Sequence, residues 1–404
     1  YAMGMYGSAV VQQLLEKPDL QLDELLDEDG IQMELKTNNQ RLMSFLTKDQ
    51  VFRELINYVI KEPNIEEEFN QKKIYKYPFT AADILAADSL SISNVFFRPK
   101  NKEQDKPEGE ESEEVVVDNE EDEVNDDTYL DELFGFLETD QQINVTSAGY
   151  FCKVVNSLFG KKTVDLLKYI FERKPQLLEK MAKKMYCRSI AEFLGRILVM
   201  EGSYISKPIY LAERTGVITS LLEQLVKSDD IEEVNNISTI ICDILSKQNS
   251  MNGSQEILTN IFDEKTVATL FECLNTKNSG NVCSATIIIN NMIAYLILNA
   301  HKANQSQDDD DSGANDSNVT EEVSENLKLN ENSPLIKALI AQFPSVVQYL
   351  RSVDEQSTIS STYGAQVRPL GIARLKLIEL ISLSLKLNLD VVFEAIINCD
   401  ALSA

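Results

Sequence analysis

The amino-acid sequence predicts an all-α protein, built as an irregular armadillo- or HEAT-like helical-repeat solenoid. Three observations carry this. Apolar residues recur with the 3.6-residue period of a helix along nearly every patterned stretch, and almost none alternates with period two. Gly and Pro are sparse, 15 and 10 in 404 residues, which argues against a loop-rich or all-β fold. The helical segments pair irregularly at a spacing of roughly 40 residues, the length of one armadillo or HEAT unit. A compact helical bundle is the alternative.

The elements follow in chain order. Residues 1–7 read as a cloning remnant, and 8–404 as a single helical-repeat domain. Ile31, Leu35, Leu42, Phe45 and Leu46 form one apolar stripe, and Val51, Leu55, Ile56 and Val59 a second, with Thr47 to Asp49 as the break between two helices. Pro78 suits the first turn of a helix reaching Leu90. Further helices are expected over Tyr129–Leu137, Ala148–Phe159, Thr163–Phe171, Pro175–Met185 and Ser189–Met200, punctuated by Gly160, Pro175 and Gly202. Downstream the same period predicts Val217–Val226, Ile231–Leu245, Gln255–Phe262, Thr266–Leu274, Val282–His301, Pro334–Leu350, Ile372–Leu387 and Leu389–Ile397.

Two acidic segments interrupt this pattern. Residues 100–127 hold 14 acids and 3 bases, and residues 305–332 hold 9 acids and 1 base, so together they carry most of the net charge of −27. Poor in apolar residues, both read as disordered insertions between helices. A chain so acidic repels nucleic acid and anionic lipid, which bind through clustered Lys and Arg. No nucleic-acid partner is expected. The longest apolar run, Ala285 to Ala300, is broken by Asn290 and Asn291 and too short for a bilayer, so no membrane insertion is expected either. The six cysteines sit among apolar neighbours without a CxxC pair, as buried thiols do in a reducing compartment, here the cytoplasm with the nucleus left open.

Composition argues against catalysis. The chain has one histidine, His301, read as a cation at a helix C-terminus. A binuclear metallophosphatase centre needs several. No phosphate loop or dinucleotide fingerprint is present, and no strand exists to carry one. No metal and no cofactor are expected, and the carboxylate pairs read as solvated helix faces.

Four collinear motifs carry a resemblance. The run LDELLDEDGIQMELKTNNQRLMSFL from Leu22 to Leu46 resembles the opening of the SAPS-domain family, the phosphatase-associated regulatory subunits of protein phosphatase 6 and its fungal counterpart. Tyr77 to Leu85 (YPFTAADIL), Ala148 to Val154 (AGYFCKV) and Pro369 to Leu375 (PLGIARL) match that family in order. The resemblance implies a non-catalytic scaffold that binds a protein phosphatase 6-type Ser/Thr catalytic subunit, helps choose its substrates and holds further regulatory or substrate proteins. An armadillo-like adaptor for linear peptides is the competing reading.

Three groups of residues are candidates for holding a partner. Lys180, Lys184 and Arg188 are four apart and share a face if one helix runs through them; Arg188, Glu192 and Arg196 form a second such row. Together they would make a basic groove for an acidic surface. The second group is Lys36, Asn38, Asn39 and Arg41, where two asparagines inside a helix ask for a compensating contact or cap a neighbouring helix. Arg368 and Arg374, flanking the Pro369-Leu370-Gly371 turn, are the third, as partner contacts or caps on helix carbonyls.

Overall fold

A chain whose apolar residues return every three to four positions buries them by coiling each segment and laying stripe against stripe. The computed structural model describes residues 9–62, 71–99, 126–200, 208–247, 255–276, 278–308, 325–352, 358–360, 362–364, 366–367 and 369–403. Residues 1–7 and most of both acidic segments lie outside them. The protein is all-α, as the periodicity predicts. Its contacts divide it into two compact units, residues 1–180 and 181–404, where the sequence suggested one domain.

The first unit contains α1 (residues 9–14), α2 (Leu22–Leu26), α3 (Ile31–Lys36), α4 (Gln40–Leu46), α5 (Asp49–Ile60), α6 (Tyr77–Leu85), α7 (Leu90–Phe96), α8 (Thr128–Phe134), α9 (Val145–Lys161) and α10 (Thr163–Lys168). Helix α11 (Gln176–Ala182) holds the boundary. At the centre, α5 packs on α6, α8 and α9. Its buried stripe is Phe52, Leu55, Ile56 and Val59, and Phe52 meets Phe96 and Tyr129 edge-on at 5.0 and 4.9 Å. Tyrosine–aspartate hydrogen bonds tie helices that are apart in sequence. Tyr58 donates to Asp23 at 2.5 Å, Tyr129 to Asp49 at 2.7 Å and Tyr169 to Asp131 at 2.7 Å.

The single helix expected over Ile31–Leu46 is in fact α3 and α4. Asn38 takes the left-handed conformation, φ 53°, and ends the first helix. Asn39 then starts the second, its side-chain oxygen accepting from the Arg41 and Leu42 amides. Single turns of π-helix at Lys72–Lys76 and Tyr169–Arg173, beside α6 and α10, leave no mark in the apolar period.

The second unit contains α12 (Arg188–Leu198), α13 (Pro208–Lys227), α14 (Ile231–Lys247), α15 (Gln255–Ile261), α16 (Glu264–Glu272), α17 (Ser279–Asp308), α18 (Pro334–Arg351), α19 (Ile372–Lys386) and α20 (Asp390–Asn398). Helix α14 packs on α12, α13 and α17; α17 packs on α19; α18 meets α16, α19 and α20. Contacts between helices close in sequence are the organisation of a helical-repeat array. The apolar run at Ala285–Ala300 is the core helix expected: Ile288, Ile289, Met292 and Ile293 in α17 are fully buried. Because α17 continues to Asp308, His301 lies within the helix and not at its C-terminus.

The acidic segments are shorter at their edges than the sequence suggested. The Asp126 amide donates to the Arg98 carbonyl at 2.8 Å, and Asp127 pairs with Arg173 at 2.9 Å. On the other side, Glu325–Leu327 forms a 3-10 turn that buries Leu327. Among the described residues one paired element is not helical. Strands β1 (Ile359–Ser360) and β2 (Gln366–Val367) pair antiparallel, with Ile359 opposite Val367.

Candidate partner-docking surfaces

The candidates near the N-terminus are a folding device. Glu34, on α3, is buried, and its carboxylate accepts from Asn39 Nδ2 at 2.5 Å and from Gln12 Nε2 at 3.3 Å. Asn39 thereby caps α4 with its oxygen and satisfies a buried carboxylate with its nitrogen. The two asparagines stand at a helix break, not inside a helix, so the propensity argument for a missing contact falls away. Arg41 faces Glu16 at 3.7 Å with both side chains in solvent, and Lys36 is exposed.

The long basic row does not form. Helix α11 ends at Ala182, the chain turns through residues 183–187, and Arg188 opens α12. Lys180 belongs to the first unit and pairs with Glu138. Lys184 sits in the turn at 7% exposure, unavailable to a partner. Arg173 and Lys174 are likewise engaged, with Asp127 and with Asp131 at 3.0 Å. Burial raises the Asp127 carboxyl above its ordinary value, and the Arg173 charge offsets only part of that shift. Of the third group, Arg374 donates to the carbonyls of Leu370, at 3.3 Å, and of Ser352, the residue that ends α18. Arg368 lies outside the described residues.

The second row survives, as one wall of a groove. Arg188, Glu192 and Arg196 are exposed along α12, and Arg188 Nε donates to Glu192 at 2.8 Å. Beside them runs α14, packed closely enough that a Cβ on Gly195 would stand 3.3 Å from Ile240 Cγ1. Above that approach lies an open cavity of about 510 Å³. Its floor is small or apolar: Ala191, Gly195, Val199 and Ile240. The far wall is a polar row on α14, Glu232, Asn235, Asn236, Thr239, Asp243 and Lys247, which return every three to four residues. Arg188, Glu192 and Arg196 alternate in sign on one wall, and Glu232, Asp243 and Lys247 bring two anions and a cation to the other, so the groove is of mixed sign and not the basic one expected.

Two arrangements escaped the sequence reading. Arg214 is 2% exposed at the centre of α13, and its guanidinium donates to the Leu198 carbonyl, from Nε at 3.1 Å, and to the Met200 carbonyl at 3.0 Å. It caps the C-terminal end of α12, where the helix dipole favours a cation. The second joins three of the family-like motifs in the first unit. Asp83 of α6 accepts from Gln32 at 2.7 Å and pairs with Lys153 of α9. Lys153 lies 5.1 Å over the ring of Phe79, which meets Tyr150 at 6.4 Å. Phe79 is 50% exposed on a helix otherwise turned inward. The shared motifs were the available signal, but spacing alone does not bring residues 32, 83 and 153 together.

Among the described residues no cluster of His, Cys, Asp or Glu is arranged to hold a metal ion. What the molecule presents is rows of polar side chains on stacked helices, the layout of a helical-repeat binding protein. The chain belongs to the SIT4 phosphatase-associated protein family, whose model matches residues 155–398. "Serine/threonine-protein phosphatase 6 regulatory subunit 1" of Mus musculus is 23% identical over 402 residues, 95% of this chain and 42% of that protein. "Serine/threonine-protein phosphatase 6 regulatory subunit 3" of Gallus gallus is 24% identical, over 98% of this chain and 42% of its own length. "Extragenic suppressor of kinetochore protein 1" of Schizosaccharomyces pombe is 22% identical, over 93% and 43% respectively. The chain thus spans less than half the length of these curated relatives. No solved structure matches it.

Proposed function

We propose that this chain is the partner-binding part of a non-catalytic regulatory subunit, which holds a protein phosphatase 6-type Ser/Thr catalytic subunit in the cytoplasm and directs its choice of substrate. The observation that carries the reading is family membership, with relatives named as phosphatase 6 regulatory subunits aligned along 95% or more of the chain. Its chemistry supports the same division of labour. One histidine in 404 residues leaves this chain without the usual ligands of a binuclear metal centre, so phosphoester hydrolysis falls to the partner. A net charge of −27 disfavours nucleic acid as a ligand.

The test is direct. The purified chain, mixed with recombinant protein phosphatase 6 catalytic subunit, co-elutes with it on size exclusion at micromolar concentration and has no phosphatase activity alone. Separate elution overturns the proposal, and so does hydrolysis by the isolated chain that persists after repurification.

A further inference from the structure

We propose that a pocket beside α4 receives a phosphorylated serine or threonine side chain of a partner protein. The pocket stands on this chain's own geometry and charge. That the partner is a phosphatase substrate carrying more than one phosphate rests on the function proposed above.

The pocket is open, about 340 Å³ in volume, and lies between the turn after α1 and the outer face of α4, in a stretch described without interruption from residue 9 to 62. Three cations line it, Lys17, Arg41 and Lys48, and no carboxylate does. In a chain of net charge −27 that is a local reversal of sign. Helix geometry accounts for part of it, since Gln40, Arg41 and Ser44 are three and four residues apart and share one face of α4. Lys48, the residue before α5, closes the same side with its ammonium 5.2 Å over the Phe45 ring.

The cations are only loosely engaged. Lys17 donates to Glu24 at 2.6 Å, and Arg41 meets Glu16 at 3.7 Å, both pairs standing in solvent. Asp49, next in the chain to Lys48, is taken up by Arg53 at 3.1 Å and by Tyr129 at 2.7 Å. Among the described residues Lys48 itself has no carboxylate partner. Exposed pairs of this kind contribute little and rearrange readily. Three cations thus face two rim carboxylates, and the ring remains open to a stronger anion.

Donor number selects that anion. Gln40 and Ser44 are exposed, and neither side chain makes a hydrogen bond among the described residues. With the three cations they give five side chains able to donate toward one point. A phosphomonoester, with three acceptor oxygens and a charge of about −1.5 to −2 at neutral pH, uses this set more fully than a carboxylate. Glu16 and Glu24 at the rim repel a longer acidic run, which favours a single dianion over an acidic peptide. Below the cations the lining is apolar, Leu15, Leu20 and Phe45, and suits the methylene of the modified side chain and an apolar neighbour. A phosphate seated here would retain a multiply phosphorylated protein while the catalytic subunit acts on another of its phosphates.

Fluorescein-labelled heptapeptides with one phosphoserine between two leucines test this on the whole chain by anisotropy. The phosphopeptide is expected to bind saturably, about tenfold more tightly than its serine or glutamate counterparts, and to be displaced by inorganic phosphate. Arg41→Gln with Lys48→Gln, both side chains exposed, leaves the helical circular dichroism unchanged and weakens binding by about tenfold. Lys337→Gln with Lys386→Gln, exposed in the second unit, removes the same charge and leaves binding unchanged. Equal binding of the serine peptide, indifference to the Arg41 and Lys48 substitutions, or a preference for phosphatidylinositol-phosphate vesicles over the phosphopeptide overturns the proposal. Co-elution with the phosphatase catalytic subunit is read in parallel. Its failure with phosphopeptide binding intact counts against the proposed function alone, and co-elution without phosphopeptide binding counts against the pocket alone.

Discussion

Tyr129 shows how single residues hold the first unit. Its hydroxyl donates to Asp49 at 2.7 Å, joining α8 to α5, while its ring packs edge-on against Phe52. Burial, reinforced by the bond to Asp49, pushes the phenol up to about 12. The same bond, with that from Arg53, holds the Asp49 carboxyl below its ordinary value. The two shifts act at opposite ends of the pH scale. A raised phenol contributes stability that is complete below pH 10, its ordinary value, and is lost as the pH climbs through about 12. A lowered carboxyl contributes stability that is present above 3.8 and is lost as the pH falls through its depressed value. Tyr129→Phe should therefore cost about 1 kcal/mol in urea unfolding at neutral pH, and move Asp49 up in a carboxyl-resolved NMR titration. An Asp49 that does not move would disconnect the pair. Asn39→Ala removes a cap and a partner of buried Glu34 together, and should cost about 2 kcal/mol. Asn39→Asp keeps the cap but sets two carboxylates face to face, so it should be rescued as pH is lowered.

At the scale of elements, α13 shows what a stripe can hide. Its buried positions are Tyr210, Arg214, Val217, Ile218, Leu221, Leu222 and Leu225, a regular helical series with a cation in it. Read as hydropathy, that cation ends the stripe, and so the sequence predicted a helix only from Val217. The carbonyls of α12 supply what an apolar neighbour cannot. Arg214→Leu would restore the apolar stripe and orphan two buried carbonyls, a loss of about 3 kcal/mol. Arg214→Lys should recover part of this, since an ammonium reaches one carbonyl but lacks the planar fork. Equal stability of the Leu variant and the parent would show that the cap is dispensable. The same limit governs the candidate sites. Period and composition were enough for long stretches such as Val282–His301, because burial repeats along them. They could not locate a two-residue break at Asn38 and Asn39, since the apolar rows on either side stay in phase, although an Asn-Asn pair is itself a stop-and-cap signal. The turn before Arg188 was legible, since the period ends one helix at Met185 and opens the next at Ser189, and it already told against a continuous row through Lys180, Lys184 and Arg188. The Arg188, Glu192 and Arg196 row was legible because it lies within one helix; the α14 wall facing it was not, since nothing local couples residue 195 to residue 240.

For the molecule as a whole, α17 decides between two environments. It is the one helix among the described residues long and apolar enough to cross a membrane, and 67% of that apolar window is buried inside the protein. Composition alone cannot separate a core helix from a membrane span, but the neighbours can. Asn290 Nδ2 donates to the Lys376 carbonyl at 3.2 Å, Asn291 Nδ2 to the Ile287 carbonyl at 2.8 Å, and Asn281 Nδ2 to the Leu225 and Ser228 carbonyls at 3.0 Å each. Three of these four bonds reach other helices or their ends, and would be lost if α17 entered lipid alone. Ile288, Ile289, Met292 and Ile293 would also leave α14 and α19, each giving up about 2 kcal/mol of burial. Lipid would return much of that to α17 but nothing to the faces it left exposed on its neighbours. Insertion therefore requires the second unit to unfold, and the native chain should remain at the bottom of a flotation gradient with neutral lipid vesicles. Ile293→Asp, which places a charge in the contact between α17 and its neighbours, should open the unit and expose the helix. If lipid is an accessible alternative, that variant floats while the parent does not. Flotation of the folded parent, with its helical signal and melting temperature unchanged, would mean that α17 leaves the core without unfolding it, and would contradict the packing described above.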